Sequence, residues 1–194
     1  MKTIKYFLLF TLGLFITTSC DTNDDGFYNT IYLHSSNLIA TETQPSYLVG
    51  DNLYINADFS RYQEEAGQTE PLDIYKTTGN ANEFNFSYVL EIKNGADWEL
   101  VEFSNNQLDI VKGNAVSGAY VYGSAIYNPN NEFYEYRVGM PLTQAGEYRL
   151  SFGYNSGSNE VEIISKSIGL NLSMTIFSST NNINSEGYYL FTVN

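Results

Sequence analysis

The sequence predicts an all-β protein whose strands form a two-sheet sandwich. Apolar residues alternate with polar residues at a period of two, turn residues separate these runs, and helical periodicity is nearly absent beyond the N-terminal segment. A period of two places alternate side chains on opposite faces of a strand, so one face of each strand is expected to cover a core. We expect about eight or nine short strands in a single domain spanning residues 30–194.

The alternation is clearest in three segments. Their apolar positions, expected to point inward, are Leu53, Ile55, Ala57 and Phe59; Phe84, Phe86, Tyr88, Leu90 and Ile92; and Tyr148, Leu150, Phe152 and Tyr154. Turn residues such as Asn94-Gly95 and Ala145-Gly146 separate these and neighbouring runs. The stretch Ser117–Val138 is predicted to form a hairpin with a loop at residues 128–131.

The stretch Tyr136–Leu150, with the sequence YRVGMPLTQAGEYRL, resembles the corner between strands E and F of immunoglobulin-like domains. In that family a tyrosine near the start of strand F hydrogen-bonds back to the corner. Gly146 and Tyr148 match the family's turn glycine and corner tyrosine. The resemblance therefore implies an immunoglobulin-like β-sandwich, structural roles for both residues, and a bond from the Tyr148 hydroxyl to a carbonyl of residues 142–145. Such sandwiches host many unrelated activities, so the resemblance indicates no function.

Residues 1–19 have the layout of a secretory signal peptide. Lys2 and Lys5 are followed by the mostly apolar run Tyr6–Ile16 and then by small residues. As a helix this run would be about 16 Å long, whereas a bilayer core is roughly 30 Å thick, so we do not expect it to span a membrane. The pattern predicts export from the cytoplasm.

Cys20 follows at once and is the only cysteine of the chain. A lone cysteine after small residues resembles the lipobox of bacterial lipoproteins, and Asp21, Asp24 and Asp25 resemble the export tag of surface lipoproteins of the Bacteroidota. The resemblance implies cleavage before Cys20, acyl chains such as palmitate on the mature terminus, and a flexible acidic tether at residues 20–29. It also implies a lipid anchor in the cell envelope, at the surface or the periplasmic face of the outer membrane.

The same stretch matches the opening of an EF-hand calcium loop, from Asp21 to Gly26. The twelfth position of such a loop must be a bidentate acid, and here it is Tyr32. We therefore expect lipid attachment at this place, and we expect no cofactor or metal. A calcium ion in the loop Glu64–Asp73 stays open as an alternative.

Charge and residue inventory exclude several functions. The chain has 22 acidic and 9 basic residues, a net charge of −13 that would repel nucleic acid and anionic lipid surfaces. His34 is the only histidine, which excludes multi-histidine metal sites and histidine-activated nucleophiles. The acidic clusters at Glu64–Asp73 and Asp97–Glu102 are predicted to lie on the solvated surface. They leave open a carbohydrate-active enzyme with paired carboxylates about 5–10 Å apart.

The 17 tyrosines of the chain are the feature that suggests binding. Tyrosine combines a flat apolar face with a hydroxyl group, which suits stacking on sugars or anchoring a protein interface. The candidates for ligand stacking are Tyr62 and Tyr75, beside the acidic loop, and Tyr54, on the polar side of its strand. The alternative is that tyrosine simply favours half-buried strands.

We therefore expect a non-catalytic binding module whose partner is a glycan or an envelope protein, in addition to the membrane that holds the lipid. A carbohydrate-active enzyme and a purely structural envelope component are the alternatives.

Overall fold

The structure is a computed structural model that describes residues 29–153, 158–165 and 172–194. These residues are 60% strand and 4% helix, which confirms the predicted all-β class. Among them are fifteen strands, which is more than the eight or nine expected: nine have at least five residues and six have two to four residues. In this part of the chain no helix is long and apolar enough to cross a membrane.

The strands are β1 (Asn29–Ser36), β2 (Ile39–Glu42), β3 (Asn52–Ser60), β4 (Tyr62–Gln63), β5 (Leu72–Asp73), β6 (Glu83–Asn94), β7 (Asp97–Leu100), β8 (Asp109–Lys112), β9 (Asn114–Ser117), β10 (Val121–Asn128), β11 (Phe133–Pro141), β12 (Gly146–Phe152), β13 (Glu160–Ser165), β14 (Leu172–Ser179) and β15 (Tyr189–Val193). A one-turn helix, α1 (Ile74–Thr77), and a 3₁₀ turn (Asn105–Gln107) complete the described elements.

Thirteen of the described strands join one hydrogen-bonded sheet that curls on itself. Its main order is β1-β14-β13-β6-β10-β11-β3-β2, and β7, β8, β9, β12 and β15 pair beside this path. β1 runs parallel to β14, whereas β13 is antiparallel to both β14 and β6. β4 and β5 form a separate two-stranded ribbon.

The β10–β11 hairpin is where the sheet divides into two layers. Its strands pair only at Ile126–Asn128 with Phe133–Glu135. Beyond that point β9 pairs with β10 and β8 pairs with β11, so the two strands separate. The predicted hairpin is present, with its loop one residue later than expected, at residues 129–132. Its far half is opened by β8 and β9, which a local pattern could not indicate.

The two layers pack their apolar faces together, as expected of a sandwich. The buried inward positions of β3 and β6 are Leu53, Ile55, Ala57 and Phe59, and Phe84, Phe86, Tyr88 and Leu90. Aromatic rings join the layers: the ring centroids of Phe84 and Tyr134 are 4.8 Å apart, and those of Phe86 and Tyr136 are 4.9 Å apart. The buried hydroxyls of Tyr88 and Tyr136 share a hydrogen bond of 2.7 Å. Burial raises the pKa of both phenols, so both stay protonated.

The longest strand, β6, has partners on both sides along its length. Its first half lies between β10 and β13, and its second half lies between β7 and β12. Its even-numbered residues from Phe84 to Ile92 point into the core, so Ser87, Val89, Glu91 and Lys93 lie on the outer face. β15 pairs with β12 and extends this outer face by one strand.

Candidate functional site

Two of the predicted tyrosines, Tyr62 and Tyr75, meet around one arginine. The guanidinium carbon of Arg61 lies 5.0 Å from the ring centroid of Tyr62 and 5.2 Å from that of Tyr75. Both carboxylate oxygens of Asp73 accept hydrogen bonds from Arg61, and Glu132 accepts another at 3.0 Å. The arginine thereby ties the β4–β5 ribbon to the loop of the β10–β11 hairpin.

The rings of Tyr75 and Tyr54 are covered by neighbours. Tyr75 is half-buried and stacks on Tyr127, with 4.3 Å between ring centroids. Tyr54 is also half-buried, and the guanidinium carbon of Arg137 lies 4.0 Å from its ring centroid. Each side chain also has a further partner, because Tyr75 lies beside Arg61 and Tyr54 packs over Gly139 and donates its hydroxyl to Asp109. We therefore place no ligand contact at either residue. Tyr62 remains accessible, with 43% of its surface exposed.

The predicted corner residues lie at the start of β12, where Tyr148 is buried and Gly146 is half-buried. The buried Tyr148 donates its hydroxyl to the carbonyl oxygen of Gln144 at 2.9 Å, within the segment indicated by the sequence. Burial raises the pKa of this phenol. A Cβ atom on Gly146 would lie 3.3 Å from Cδ1 of Ile92, so this position lies close against β6.

The remaining predicted residues are the lipid-attachment and export-tag positions and the single histidine. The first group, Cys20, Asp21, Asp24 and Asp25, lies outside the described residues. His34 is exposed, stacks on Phe177 with ring centroids 5.2 Å apart, and has its Nδ1 3.9 Å from Glu160. Within the described ranges, no group of three or more histidine, cysteine or acidic side chains is arranged to hold a metal ion.

Several half-buried carboxylates are paired with cations. Arg61 holds the pKa of Asp73 below its ordinary value, and Lys112, whose Nζ lies 2.7 Å from Glu135, does the same for that carboxyl. A general acid working near neutral pH needs a raised pKa. The shifts at Asp73 and Glu135 therefore run opposite to what glycoside hydrolysis requires of a proton donor.

A second cluster, not singled out from the sequence, lies on the outer face of the β7-β6-β12-β15 strands. At its centre the guanidinium carbon of Arg149 lies 4.6 Å from the ring centroid of Trp98 and 4.4 Å from that of Tyr188. Two nitrogens of Arg149 also donate to Glu91, at 2.5 and 2.9 Å. A cation held by two rings and a bidentate carboxylate is fixed in place, because each contact restricts the planar group in a different direction.

Strand register arranges this outer face in two rows across four strands. The first row is Leu100, Glu91, Arg149 and Leu190, and the second is Trp98, Lys93, Glu147 and Thr192. The charged residues at the centre pair with each other, since Lys93 also donates to Glu147. The apolar ends of the first row, Leu100 and Leu190, are 47% and 54% exposed. The surface therefore combines an internally neutralised centre with exposed apolar side chains.

Two shallow depressions lie along this face, on either side of the central arginine. The first has a volume of about 320 Å³ and is lined by Lys93, Trp98, Glu147, Tyr148, Leu190, Phe191 and Thr192. The second has a volume of about 260 Å³ and is lined by Val89, Glu91, Leu100, Ala119, Tyr120, Arg149, Ser151 and Gly153.

Comparison with models of protein families, with curated proteins and with solved structures finds no match for this chain. The function must therefore be argued from the site itself. The outer face was not predicted from the sequence. Its residues fall on the polar side of β6 and β12, and polar side chains at such positions ordinarily just face solvent. The one available signal was Trp98, the single tryptophan of the chain, placed directly after a turn.

Proposed function

We propose that this chain is a lipid-anchored, non-catalytic binding module of the bacterial cell envelope. Its ligand contacts the outer face around Arg149. The observation that carries the proposal is the placement of Arg149 between Trp98 and Tyr188. Tryptophan, tyrosine and arginine are the residue types that dominate the centres of binding surfaces, because they bury large areas with few rotatable bonds or many donors.

The anchor rests on the resemblance of the N-terminal segment to lipoprotein signals. The tether between Cys20 and Asn29 would span at most about 30 Å when fully extended. A lipid on the cysteine would therefore keep the domain close to the membrane, with the start of β1 nearest to it.

Strand register supports a ligand site on the side away from that anchor. Asn85 of β6 lies opposite Ile164, which lies opposite Thr175, which in turn lies opposite Tyr32 of β1. β6 thus runs in the same direction as β1. Lys93 follows Asn85 by eight residues, so at 3.3 Å per residue it lies about 26 Å farther along β6. The depressions around Arg149 would therefore lie farther from the membrane than the start of β1 does.

Binding without turnover agrees with how the carboxylates of the face are engaged. Both oxygens of Glu91 accept hydrogen bonds from Arg149, and Glu147 accepts one from Lys93. A glycosidase needs a carboxyl group that presents a proton to the leaving oxygen. Carboxylates that already serve as acceptors for cations are poorly placed for that step.

Hydroxyl-radical footprinting on intact cells tests the proposal without knowledge of the ligand. We expect Trp98 to react less in the cell-bound protein than in the purified protein, because a ligand covers its ring. Leu48, which is 58% exposed and lines neither depression, is the control and should react equally in both. Equal losses at Trp98 and Leu48, or no loss at Trp98, would contradict a ligand at this face.

A further inference from the structure

Apolar side chains form a line beside β6 on the outer face. In order along the strand they are Tyr122, Tyr120, Leu100 and Trp98, and the first three are 43%, 41% and 47% exposed. Strand pairing places Tyr122 opposite Ser87 and Trp98 opposite Lys93. These levels are six residues apart, so the line extends over about 20 Å.

The other side of the same surface is polar. There β12 presents Ser151 opposite Val89, and Arg149 opposite Glu91. Glu147 continues this row beside Lys93. The depression at Val89 lies between the apolar side and this polar row, and the depression at Trp98 continues from it across β12 to Leu190 and Thr192 of β15. The surface is therefore a shallow channel along β6 with one apolar wall and one polar wall.

We infer that the channel binds a linear, uncharged glycan that lies along β6; this inference rests on the proposed function. A sugar ring has apolar C–H faces and polar hydroxyl edges. Its faces can stack on the aromatic wall, while its hydroxyls can bond to Arg149 and Glu147 on the polar wall. Arg149 has five N–H donors and uses two on Glu91, so donors remain for a ligand.

An extended polypeptide fits the channel less well. The face of a sheet offers side chains and no backbone partners, so the N–H and C=O groups of a peptide laid across it would lose water without replacement. A glycan carries its polar groups on its periphery, where water and the polar wall can both satisfy them.

The charge of the protein selects against an anionic glycan. The whole chain has a net charge of −13. This field repels polyuronic or sulfated chains before they reach the surface. A neutral polysaccharide meets no such barrier.

Affinity gel electrophoresis of the full-length protein in detergent tests the inference. Gels contain either a neutral polysaccharide (a glucan, mannan, xylan or galactan) or an anionic one (polygalacturonate or alginate). We expect at least one neutral polymer to retard the protein and the anionic polymers to leave its mobility unchanged. Trp98→Ala and Leu100→Ser should each weaken retardation by about tenfold or more, as expected for central contact residues. Tyr32→Ala is the matched control and should behave as the parent protein.

Thermal melting of each variant shows whether it is folded, and Leu100→Ser keeps the test valid if Trp98→Ala unfolds. Absence of retardation by every neutral polymer, or stronger retardation by anionic polymers, overturns the inference. If no neutral polymer retards the protein but Trp98 is protected on cells, the proposed binding module is retained and its ligand is a protein. Release of new reducing ends from a retained polymer would instead overturn the non-catalytic function.

Discussion

At the scale of single residues, tyrosine hydroxyls with buried partners organise the interior. Among the residues that the structure describes, the fully buried tyrosines are Tyr47, Tyr88, Tyr134, Tyr136 and Tyr148. Tyr134 donates to the carbonyl of Ala81 at 2.7 Å, and Tyr148 donates to Gln144 at 2.9 Å. A buried hydroxyl needs such a partner to offset its lost hydration. Part of the tyrosine surplus that suggested binding is therefore a property of the core.

Replacing Tyr148 with phenylalanine tests the corner bond. The ring contacts remain while the bond to Gln144 is lost, so we expect a loss of about 0.5–1.5 kcal/mol in the free energy of unfolding. Denaturant unfolding measures it, and Tyr32→Phe, at a 63% exposed position, is the control that should leave stability unchanged. Identical curves for Tyr148→Phe and the parent protein would show that the hydroxyl bond contributes nothing.

At the scale of elements, the corner between β8 and β9 decides how the two layers join. Gly113 lies at this corner with a φ of +74°. A Cβ atom there would lie 2.6 Å from the carbonyl oxygen of Ser124 and 2.9 Å from that of Glu135. The chain can pass from β8, paired with β11, to β9, paired with β10, because this residue has no side chain.

Substitution of Gly113 by alanine should therefore be more damaging than substitution of another glycine with positive φ. Gly67 has a φ of +86° and no atom within 4 Å of the added Cβ, so Gly67→Ala should cost about 1 kcal/mol of backbone strain. Gly113→Ala adds a clash with two backbone oxygens, and we expect about 3 kcal/mol or more in total. Equal melting temperatures for the two variants would refute this account of the corner.

The ion pair of Arg61 with Asp73 makes the β4–β5 ribbon sensitive to acid. Arg61 lowers the pKa of Asp73 below its ordinary value of 3.8, so the native state binds this proton less readily than the unfolded state. The pair therefore stabilises the fold above that value, and its contribution is lost as pH falls through the lowered pKa.

Asp73→Asn should be less stable than the parent protein near neutral pH and should lose less stability between about pH 5 and pH 2. The asparagine can still cap α1 through its side-chain oxygen, which bonds the Lys76 N–H at 3.0 Å in the parent protein. Unfolding curves across this pH range measure the difference, and the exposed Asp97→Asn is the control. Parallel pH profiles for Asp73→Asn and the parent protein would argue against the pair as the cause.

At the scale of the whole molecule, the start of β1 lies near one end of β6 and the proposed binding face lies near the other. The N-terminal tether enters at Asn29 of β1. The Trp98–Arg149 cluster lies near the far end of β6, which runs in the same direction. A lipid on Cys20 would thus hold the binding face away from the membrane surface.

Removal of the lipid site should change the location of the protein and leave its fold intact. We expect Cys20→Ala to leave the membrane fraction or to accumulate as an uncleaved precursor, because no sulfur remains to carry an acyl chain. Fractionation and labelling with a fatty-acid analogue measure this, with Asp21→Asn as a control that retains the thiol. An unlabelled parent protein whose fractionation matches Cys20→Ala would remove the basis for the anchor.

The sequence by itself determined that β3, β6 and β12 form and which of their faces point inward. In β3 and β6 the buried positions are those that a period of two selects, because the direction of each side chain depends only on its neighbours along the chain. The hydrogen bond of Tyr148 could be predicted for the same reason, because its partner Gln144 is only four residues away along the chain.

Only the tertiary structure decided which strands lie side by side. It thereby also decided which residues form the candidate site. Trp98, Arg149 and Tyr188 come from three separate parts of the chain and meet because β7 and β12 flank β6, with β15 beside β12. A local period can indicate that Arg149 faces outward, but it carries no information about which residues lie beside it. Partner strands are chosen by the packing of the entire core, which is a sum over contacts between residues far apart in the sequence.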